Sequence, residues 1–379
     1  MSTPDLSICV VNFNSSHYLG DLLGSLLGDP FTIDGRPGEV EVIVVDNASP
    51  NDDHLAIQDV AGNPRVRLVR NTENVGYGIA NEQALRIARG RWHLVINPDV
   101  VVMPGCLQTL IDTLEAIDEA EVVGPLASFD PGGHVLLPPI ELPDPYTETL
   151  TNVSRHDDAV ARFTIRHRAR AAHRFWAATT PTPMPMLSGQ CFLARRETFL
   201  EHGLFDPAYP LYYEDTDLFR RYTHEGLGLY HVPAARIVHH FSRSTMSRLK
   251  ASMYRNRIGA LRYFGKWFGE TGRRTFESVH ARADARGLDD SCPFDLIDVT
   301  SGDAPPTIEI PEHDGVYLET AGNPKFSLAA AMFPGSTGAF TFPDIFWGAL
   351  GEMSFWCRAV NPETGDTLRA WRISKCPAT

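Results

Sequence analysis

Polar side chains close four successive apolar runs in the first hundred residues. They are Asn12 and Asn14, Asp46 and Asn47, Asn71 and Asn74, and Asn97 and Asp99. Asn and Asp are also frequent in turns, because their side chains bond to nearby backbone. Carboxylates at such positions can accept hydrogen bonds from ribose hydroxyls or an imide N–H, and can bind divalent cations. The pattern therefore indicates either plain turns or a site for a nucleotide and a metal ion.

A second acidic group, Glu214, Asp215 and Asp217, lies directly before an amphipathic helix. The helix dipole favours acids in a first turn, so a structural role for all three is one interpretation. Three acids within four positions also repel one another, and like-charge repulsion raises a carboxyl pKa. A carboxylate in such a group can act as the general base on a hydroxyl.

Two adjacent histidines, His239 and His240, follow the apolar run RIV. Alternation along a strand sends one imidazole inward and the other outward. Manganese accepts imidazole as well as carboxylate ligands, so one of these histidines could be a metal ligand. A purely structural histidine explains the same pattern.

Elements of regular structure must position these groups. The first hundred residues alternate β-branched runs with stretches of helical periodicity, which predicts βα units and a largely parallel sheet. The predicted strands run from Leu6 to Asn12, Glu41 to Asp46, Arg65 to Arg70 and Trp92 to Ile96, and the predicted helices from Ser16 to Leu27, Asp53 to Val60 and Ile79 to Arg89. Ligands of such sheets bind beyond the carboxyl ends of the strands, where the polar residues stand.

The predicted secondary structure changes twice in the rest of the chain. Alternating prolines before the SGQCFLARRETF segment predict an extended connection, and helical periodicity follows from Ser247 to about Ala285. From Ser291 onward, short apolar runs between Gly, Pro, Asn and Asp predict about seven strands. We expect a first domain over 1–245, a basic helical segment over 246–290 and a small β-sandwich-like domain over 291–379.

Charge is unevenly distributed along the 379 residues. The net charge of -13 argues against a general nucleic-acid binder. The segment from Phe241 to Arg286 nevertheless carries eleven Lys or Arg against three acids. Aromatic side chains are interleaved with these charges, which suits contact with an anionic membrane surface through residues 247–275. A helix packed on the core with a solvated basic face explains the same composition.

Several other classes are disfavoured. No run approaches the roughly 20 apolar residues that span a bilayer, and no basic region precedes an apolar one at the N-terminus, so we expect a protein that is neither secreted nor membrane-spanning. Six separated cysteines without a CxxC pair suit a reducing cytoplasm. The first strand is followed by NFNSSH, which lacks the glycines of a Rossmann dehydrogenase and the basic Gly-rich loop of a pyrophosphorylase.

Seven motifs occur in an order typical of one family. They are VVNFNS, VVDNAS, NTENVGYGIANE, NPDV, SGQCFLARRETF, FDPAYPLYYEDTDLFRR and VPAARIVHH. Through them, the sequence from Leu6 to Ser244 resembles the inverting glycosyltransferases of family 2, especially the rhamnosyltransferase-like branch of bacterial polysaccharide and O-antigen assembly enzymes. The resemblance implies the GT-A fold, a Rossmann-like α/β domain with a mainly parallel central sheet, here followed by a small all-β domain.

The resemblance also implies a role for residues within these motifs. Those for the donor nucleotide are Asn12, Asn14, Asp46, Asn47, Ser49, Asn74, Gly76 and Asn97, and those for the donor sugar or the acceptor are Ser188, Gly189, Gln190 and Asp217. Asp215, beside Glu214, would be the general base of a single displacement. Asp99 and His239 would hold Mn2+ or Mg2+, with His240 the other candidate, and Asn97 replaces the first acid of the DxD-type motif.

The implied substrates are a dTDP-, UDP- or GDP-linked sugar and a hydroxyl of a glycan or lipid-diphosphate-linked glycan. The implied location is the cytoplasm or the periphery of the inner membrane face, with no nucleic acid as partner. Residues after Ser291 lie outside the resemblance, with homodimer contact or acceptor binding as candidate roles.

The competing hypothesis is a non-catalytic carbohydrate-binding or scaffold protein with a degenerate transferase domain. Its C-terminal aromatic side chains would stack on sugars. They are Phe340, Phe342, Phe346, Trp347, Phe355, Trp356 and Trp371.

Overall fold

The computed structural model describes residues 3–50, 62–209, 211–239, 249–286, 291–335 and 338–376. The helix expected from Asp53 to Val60 and the second histidine, His240, lie outside the described residues. The chain forms two compact units. The first comprises Met1–Ala127, Ile140–Leu142 and Thr179–Lys266, and the second comprises Ser128–Pro139, Pro143–Ala178 and Trp267–Thr379.

Strands and helices alternate through the first half of the described residues, and strands predominate after residue 290. The strands are β1 (Leu6–Asn12), β2 (Thr32–Ile33), β3 (Arg36–Pro37), β4 (Val40–Asp46), β5 (Val66–Arg70), β6 (Trp92–Ile96), β7 (Val100–Val102), β8 (Ala120–Ser128), β9 (Thr182–Pro183), β10 (Cys191–Arg195), β11 (Gly228–His239), β12 (Leu296–Ser301), β13 (Thr307–Ile310), β14 (Tyr317–Ala321), β15 (Ala330–Met332), β16 (Gly338–Thr341), β17 (Ser354–Val360) and β18 (Thr367–Lys375). The helices are α1 (Ser16–Leu27), α2 (Tyr77–Ile87), α3 (Cys106–Ala116), α4 (Pro145–Ser154), α5 (Asp158–Trp176), α6 (Arg196–His202), α7 (Glu214–Glu225), α8 (Leu249–Arg286) and α9 (Asp344–Ala349). None of these helices is long and apolar enough to cross a bilayer.

The first elements follow directly from their apolar patterns. β1 is buried along its whole length, and four of its apolar residues, from Ile8 to Val11, run consecutively, as expected of a strand covered on both faces. α1 buries four leucines at helical spacing, Leu19, Leu22, Leu23 and Leu26. The predicted bounds of β1, α1 and β6 are confirmed. Those of β4, β5 and α2 differ by one or two residues, within the usual fraying of element ends.

The central sheet has the order β5-β4-β1-β6-β10-β8-β11-β7, and β9 pairs with β11. Its first four strands are parallel, whereas β10 runs antiparallel to both β6 and β8. In the parallel part, Asn12 lies opposite Asp46. In the antiparallel part, Cys191 at the start of β10 lies opposite Ile96 at the end of β6. The loop before β10 therefore meets the carboxyl ends of the parallel strands.

An aromatic cluster fixes α7 against the sheet. Phe192 of β10 makes edge-to-face contacts with Phe199, Phe205 and Phe219, at ring-centroid distances of 6.0, 6.1 and 5.2 Å. All four rings are buried, and Phe219 belongs to α7. Aromatic pairs of this geometry add to the free energy gained by burial alone. The packing sets the position of the α7 N-terminus, where the acidic group lies.

The second unit is built on a sheet of order β12-β18-β17-β14-β15, with β13 paired to β16. The β-rich character predicted after Ser291 is confirmed. Buried Trp347 and Trp371 lie in a core shared by β13, β17 and β18. The sequence pattern gives no prediction for α4 and α5, which come from the middle of the chain. α8 is interrupted at Gly269, whose φ of 65° suits glycine.

A fully buried ion pair lies inside the second unit. Glu319 Oε2 accepts hydrogen bonds from Arg358 Nη2 at 2.6 Å and Arg358 Nε at 2.9 Å, and from Arg168 Nη2 at 2.5 Å. Burial alone would raise the pKa of Glu319, but the two guanidinium charges hold it below its ordinary value. The stabilisation from this group is therefore present above the unfolded-state pKa and is lost as pH falls through the folded-state pKa.

We predict that Arg358→Met destabilises the protein by about 3–5 kcal/mol, because it leaves part of the Glu319 charge uncompensated in the core. Urea denaturation at neutral pH measures the change. The matched control is Arg372→Met, which removes an exposed pair with Asp298 and should leave the midpoint nearly unchanged. Equal midpoints for the two variants would contradict the prediction.

Candidate active site

Asp46 ties together the loops that follow β1 and β4. Its Oδ1 accepts hydrogen bonds from Asn12 Nδ2 and from Ser49 N, each at 3.3 Å. Ser49 Oγ in turn accepts from Asn12 Nδ2 at 3.0 Å and from Asn14 N at 2.9 Å. Asp46 and Asn12 are buried. Four of the predicted nucleotide-binding residues therefore form one cradle at the sheet edge.

Asn47 holds the loop that enters α2. Its Oδ1 accepts from Asn71 Nδ2 and Val75 N, both at 3.0 Å. Its Nδ2 donates to Asn74 Oδ1 at 3.0 Å and Gly76 O at 3.3 Å. All four hydrogen-bonding positions of this amide are thus used, so Asn47 shapes the loop rather than offering a free group. Gly76 precedes α2 with φ 90°, which favours glycine.

Asp99 and His239 are brought together although 140 positions separate them. His239 ends β11 opposite Val100 of β7, and its Nε2 lies 3.3 Å from Asp99 Oδ1. Two ligands at right angles on one ion, with bonds of about 2.1 Å, are about 3 Å apart, so the pair fits a shared cation. No group of three or more such side chains is assembled within the described ranges. The remaining coordination positions of such a cation would be taken by atoms of a bound ligand and by water.

Asn97 links the metal candidates to the loop before β10. Its backbone N donates to Gln190 O at 2.9 Å, and its Oδ1 accepts from Tyr77 OH at 3.0 Å. Tyr77 is not among the site residues predicted from the sequence, where its only signal is an aromatic residue directly after Gly76 at the start of α2.

Glu214 and Asp215 are the first two residues of α7, and they follow Tyr212 and Tyr213, which both have φ 69°. Burial raises the pKa of both carboxyls, and the Asp215 charge raises that of Glu214 further. Asp215 Oδ1 accepts from Thr216 N at 2.7 Å and Thr216 Oγ1 at 3.2 Å. Glu214 Oε2 has no hydrogen-bond partner within the described part of the chain.

Gly189 lies directly against Asp215. Its backbone N–H donates to the Asp215 carboxyl, and a Cβ at this position would stand 2.5 Å from Asp215 Oδ2. Ser188 and Gln190 flank it in the same loop. The structure thus joins the Asn97 turn, the 188–190 loop and the acidic pair in one chain of contacts.

Asp217 is placed differently from its neighbours. It is fully buried, and it accepts hydrogen bonds from Tyr209 OH at 3.1 Å and Lys266 Nζ at 2.7 Å. Lys266 also contacts Asp206 at 3.1 Å. Asp217 therefore anchors α8 to α7, and its predicted contact with sugar or acceptor stays a prediction. Lys266 could not be singled out from the other basic residues of its segment.

Residues 7–203 match the model of the family Glycosyl transferase family 2. The chain belongs to glycosyltransferase family 2. It is 31% identical over 256 residues to N-acetylglucosaminyl-diphospho-decaprenol L-rhamnosyltransferase of Mycobacterium tuberculosis, which covers 64% of this chain and 78% of that protein. It is also 31% identical over 150 residues to the succinoglycan biosynthesis protein ExoO of Rhizobium meliloti, covering 37% and 41% of the two chains. The predicted family, GT-A fold and glycosyltransferase activity are confirmed.

Two solved structures are also similar. GalNAc-T7 with UDP, GalNAc and Mn2+ is 18% identical with a TM-score of 0.45, covering 63% of this chain and 44% of that one. The mannosyltransferase PcManGT from Pyrobaculum calidifontis, in complex with GDP-Man and Mn2+, is 17% identical with a TM-score of 0.46, covering 76% and 77%.

We predict that Gly189→Ala lowers glycosyltransferase turnover about 100-fold, because the added methyl group must displace the Asp215 carboxyl. The control is Gly20→Ala in α1, where a Cβ meets no atom within 4 Å. Turnover and melting temperature are measured for both variants. Parental turnover in Gly189→Ala would show that the position of this carboxyl does not matter to the reaction.

Proposed function

We propose that this glycosyltransferase moves a deoxyhexose, with inversion, from a nucleoside diphosphate to a hydroxyl of a lipid-diphosphate-linked glycan. The observation that carries the proposal is the set of three carboxyls at one sheet edge, each with different surroundings. Asp46 is held in a loop cradle, Asp99 lies beside His239, and Asp215 faces Gly189. These surroundings suit a nucleotide contact, a metal ligand and a general base.

The Glu214–Asp215 pair is suited to hold one proton. Two adjacent carboxylates with little access to solvent repel, so the pair titrates as a unit and one member stays neutral at pH values where isolated acids ionise. The bonds from Thr216 stabilise negative charge on Asp215, whereas Glu214 Oε2 has no such donor among the described residues. The proton therefore resides on Glu214, and Asp215 is the ionised base.

In the proposed reaction, the acceptor hydroxyl gives its proton to the Asp215 carboxylate while its oxygen forms a bond to the anomeric carbon. The bond from that carbon to the diphosphate oxygen breaks on the opposite face, and its electron pair leaves with the diphosphate. A single displacement of this kind inverts the anomeric configuration. Because Gly189 has no side chain, the Asp215 carboxyl can lie directly against the backbone of the 188–190 loop.

Asp99 and His239 would hold the divalent cation, Mn2+ or Mg2+. When bound, such an ion neutralises negative charge that develops on the departing diphosphate. The 3.3 Å separation of the two side chains supports this assignment. Because Asn97 stands where an acid is usual, the protein supplies one carboxylate to this site.

The cradle formed by Asp46, Asn12 and Ser49 is the proposed contact for the nucleotide of a dTDP-, UDP- or GDP-linked donor. The choice of a deoxyhexose and of a lipid-diphosphate-linked acceptor follows the mycobacterial relative, whose name specifies an L-rhamnosyl group and an N-acetylglucosaminyl-diphospho-decaprenol.

We place the reaction at the periphery of the inner membrane face, in keeping with such an acceptor. In the first unit, α8 exposes 64% of Met253 and 68% of Tyr254 beside several arginines. Apolar and aromatic groups flanked by cations suit the interface of an anionic membrane.

The burial of aromatic side chains in the second unit argues against the competing scaffold function. Four of the seven aromatic residues considered for sugar stacking are buried: Phe342, Trp347, Phe355 and Trp371. They belong to one apolar core, so they stabilise the unit rather than present a binding surface.

We predict that Asp215→Asn lowers transfer by about 100- to 10,000-fold, because the amide cannot accept the acceptor proton. Nucleotide binding, measured by calorimetry, should persist. The control is Asp21→Asn, on the exposed side of α1. Parental turnover in Asp215→Asn would remove Asp215 from the chemistry, and a parent protein that binds glycans without transferring sugar would favour the scaffold function.

We predict that Mn2+ increases the thermal stabilisation given by the correct nucleotide-sugar, and that Asp99→Ala abolishes this increment. The experiment screens dTDP-, UDP- and GDP-sugars with Mn2+ or with a chelator. Asp112→Ala, which removes an exposed carboxylate of α3, should behave as the parent. Tight donor binding that is independent of metal and unaffected by Asp99→Ala would refute the metal assignment.

A further inference from the structure

α8 lies directly on the segment that carries the proposed base. A Cβ at Gly259 would stand 2.5 Å from Tyr212 O, so only glycine allows this approach. One turn later, the ring of Tyr263 lies 5.5 Å from that of Tyr213, and its hydroxyl accepts from Arg220 Nε at 2.8 Å. One face of α8 is therefore packed against the turn that immediately precedes Glu214 and Asp215.

Basic residues border this packed face on one side. At about 100° per residue, Arg255, Arg262 and Lys266 all fall within about 60° of Gly259 and on the same side of it. Arg255 is exposed and forms no ion pair with any described residue. The side chain of Arg262 is 43% exposed, and its Nη2 forms a long ion pair of 3.5 Å with Asp206 Oδ2, a carboxylate that it shares with Lys266. Arg255 and the exposed part of Arg262 thus present charge beside the catalytic turn, whereas Lys266 is also bound to Asp217.

An apolar strip continues around the helix from these arginines. Ile258 and Tyr254 lie about 100° and 140° from Gly259, again on the same side. Their exposed fractions are 38% and 68%. Around the circumference of α8, the face that packs on the catalytic turn is therefore followed by cationic groups and then by exposed apolar groups. This order matches a ligand whose sugar is followed by phosphate and then by hydrocarbon.

We propose that Arg255 and Arg262 bind the diphosphate of a lipid-linked acceptor, with its hydrocarbon chain on Ile258 and Tyr254. The proposal rests on the proposed transfer reaction and adds the residues that recognise the acceptor beyond its sugar. One guanidinium group can donate two parallel hydrogen bonds to phosphate oxygens, and it stays protonated at physiological pH. The two arginines are about 10 Å apart along the axis, a span that their long side chains can close around one diphosphate.

The test uses the full chain and farnesyl diphosphate as the probe, with binding measured by calorimetry below the aggregation limit of the probe. We expect Arg255→Gln and Arg262→Gln each to weaken binding about tenfold, since each removes charge-assisted hydrogen bonds. Arg257→Gln is the matched control. It removes an exposed arginine about 160° from Gly259, and it should retain the parental affinity. Inorganic pyrophosphate should bind more weakly than farnesyl diphosphate, because it lacks the hydrocarbon.

Equal affinity for farnesyl diphosphate in the parent and in the double variant Arg255→Gln/Arg262→Gln would overturn the proposal. Adsorption to vesicles of phosphatidylcholine with phosphatidylglycerol separates the two sources of phosphate. A double variant that loses vesicle adsorption but keeps its affinity for farnesyl diphosphate also overturns it, because the arginines then bind phospholipid headgroups. Donor hydrolysis by the parent is measured in parallel. Hydrolysis without farnesyl diphosphate binding refutes this subsite alone, whereas a parent inactive toward all donors refutes the proposed function.

Discussion

The register between β6 and β10 determines where the candidate site residues of this protein meet. Because Cys191 lies opposite Ile96, the residues just before β10 reach the carboxyl ends of the parallel strands. Gln190 then receives the backbone N–H of Asn97, and Gly189 lies against Asp215. A slip of one residue would turn every side chain of β10 to the other face and would move Phe192 out of its aromatic cluster. Core packing and site geometry therefore depend on the same strand pairing.

The acidic pair occupies a position that is unfavourable in isolation. Glu214 is buried and Asp215 is half-buried beside it, and the two tyrosines before them adopt a backbone conformation with φ 69° that non-glycine residues rarely use. The N-terminal end of α7 offsets part of the charge repulsion through its dipole. The contacts of Tyr213 with Tyr263, and of Gly259 with Tyr212, hold the turn from the α8 side. The surrounding structure thus maintains an arrangement that is locally unfavourable.

Much of the fold and part of the site could be predicted from short-range patterns. Runs of mainly apolar residues predicted the strands β1 and β6. Their position at the ends of predicted parallel strands marked Asp46 and Asn97 as candidate site residues. The pairing of Asp99 with His239 came from the family resemblance, since no local pattern relates residues so far apart. The hydrogen bond of Asp217 with Lys266 escaped prediction for the same reason. From sequence alone, Asp217 resembles its two acidic neighbours, and only the packing of α8 shows that its carboxylate is bound to a lysine.

The buried contact of Glu319 with Arg168 and Arg358 has a consequence for biosynthesis. Arg168 is translated roughly 190 residues before Arg358, which at about 5–20 residues per second is roughly 10–40 s on the ribosome. Ala161 and Ile165 of α5, both buried in the finished protein, pack against Ala321, Phe326 and Ala329, which are translated roughly 160 residues later. The apolar face of this amphipathic helix therefore has no core partner on the nascent chain until β14 and the residues after it have been made.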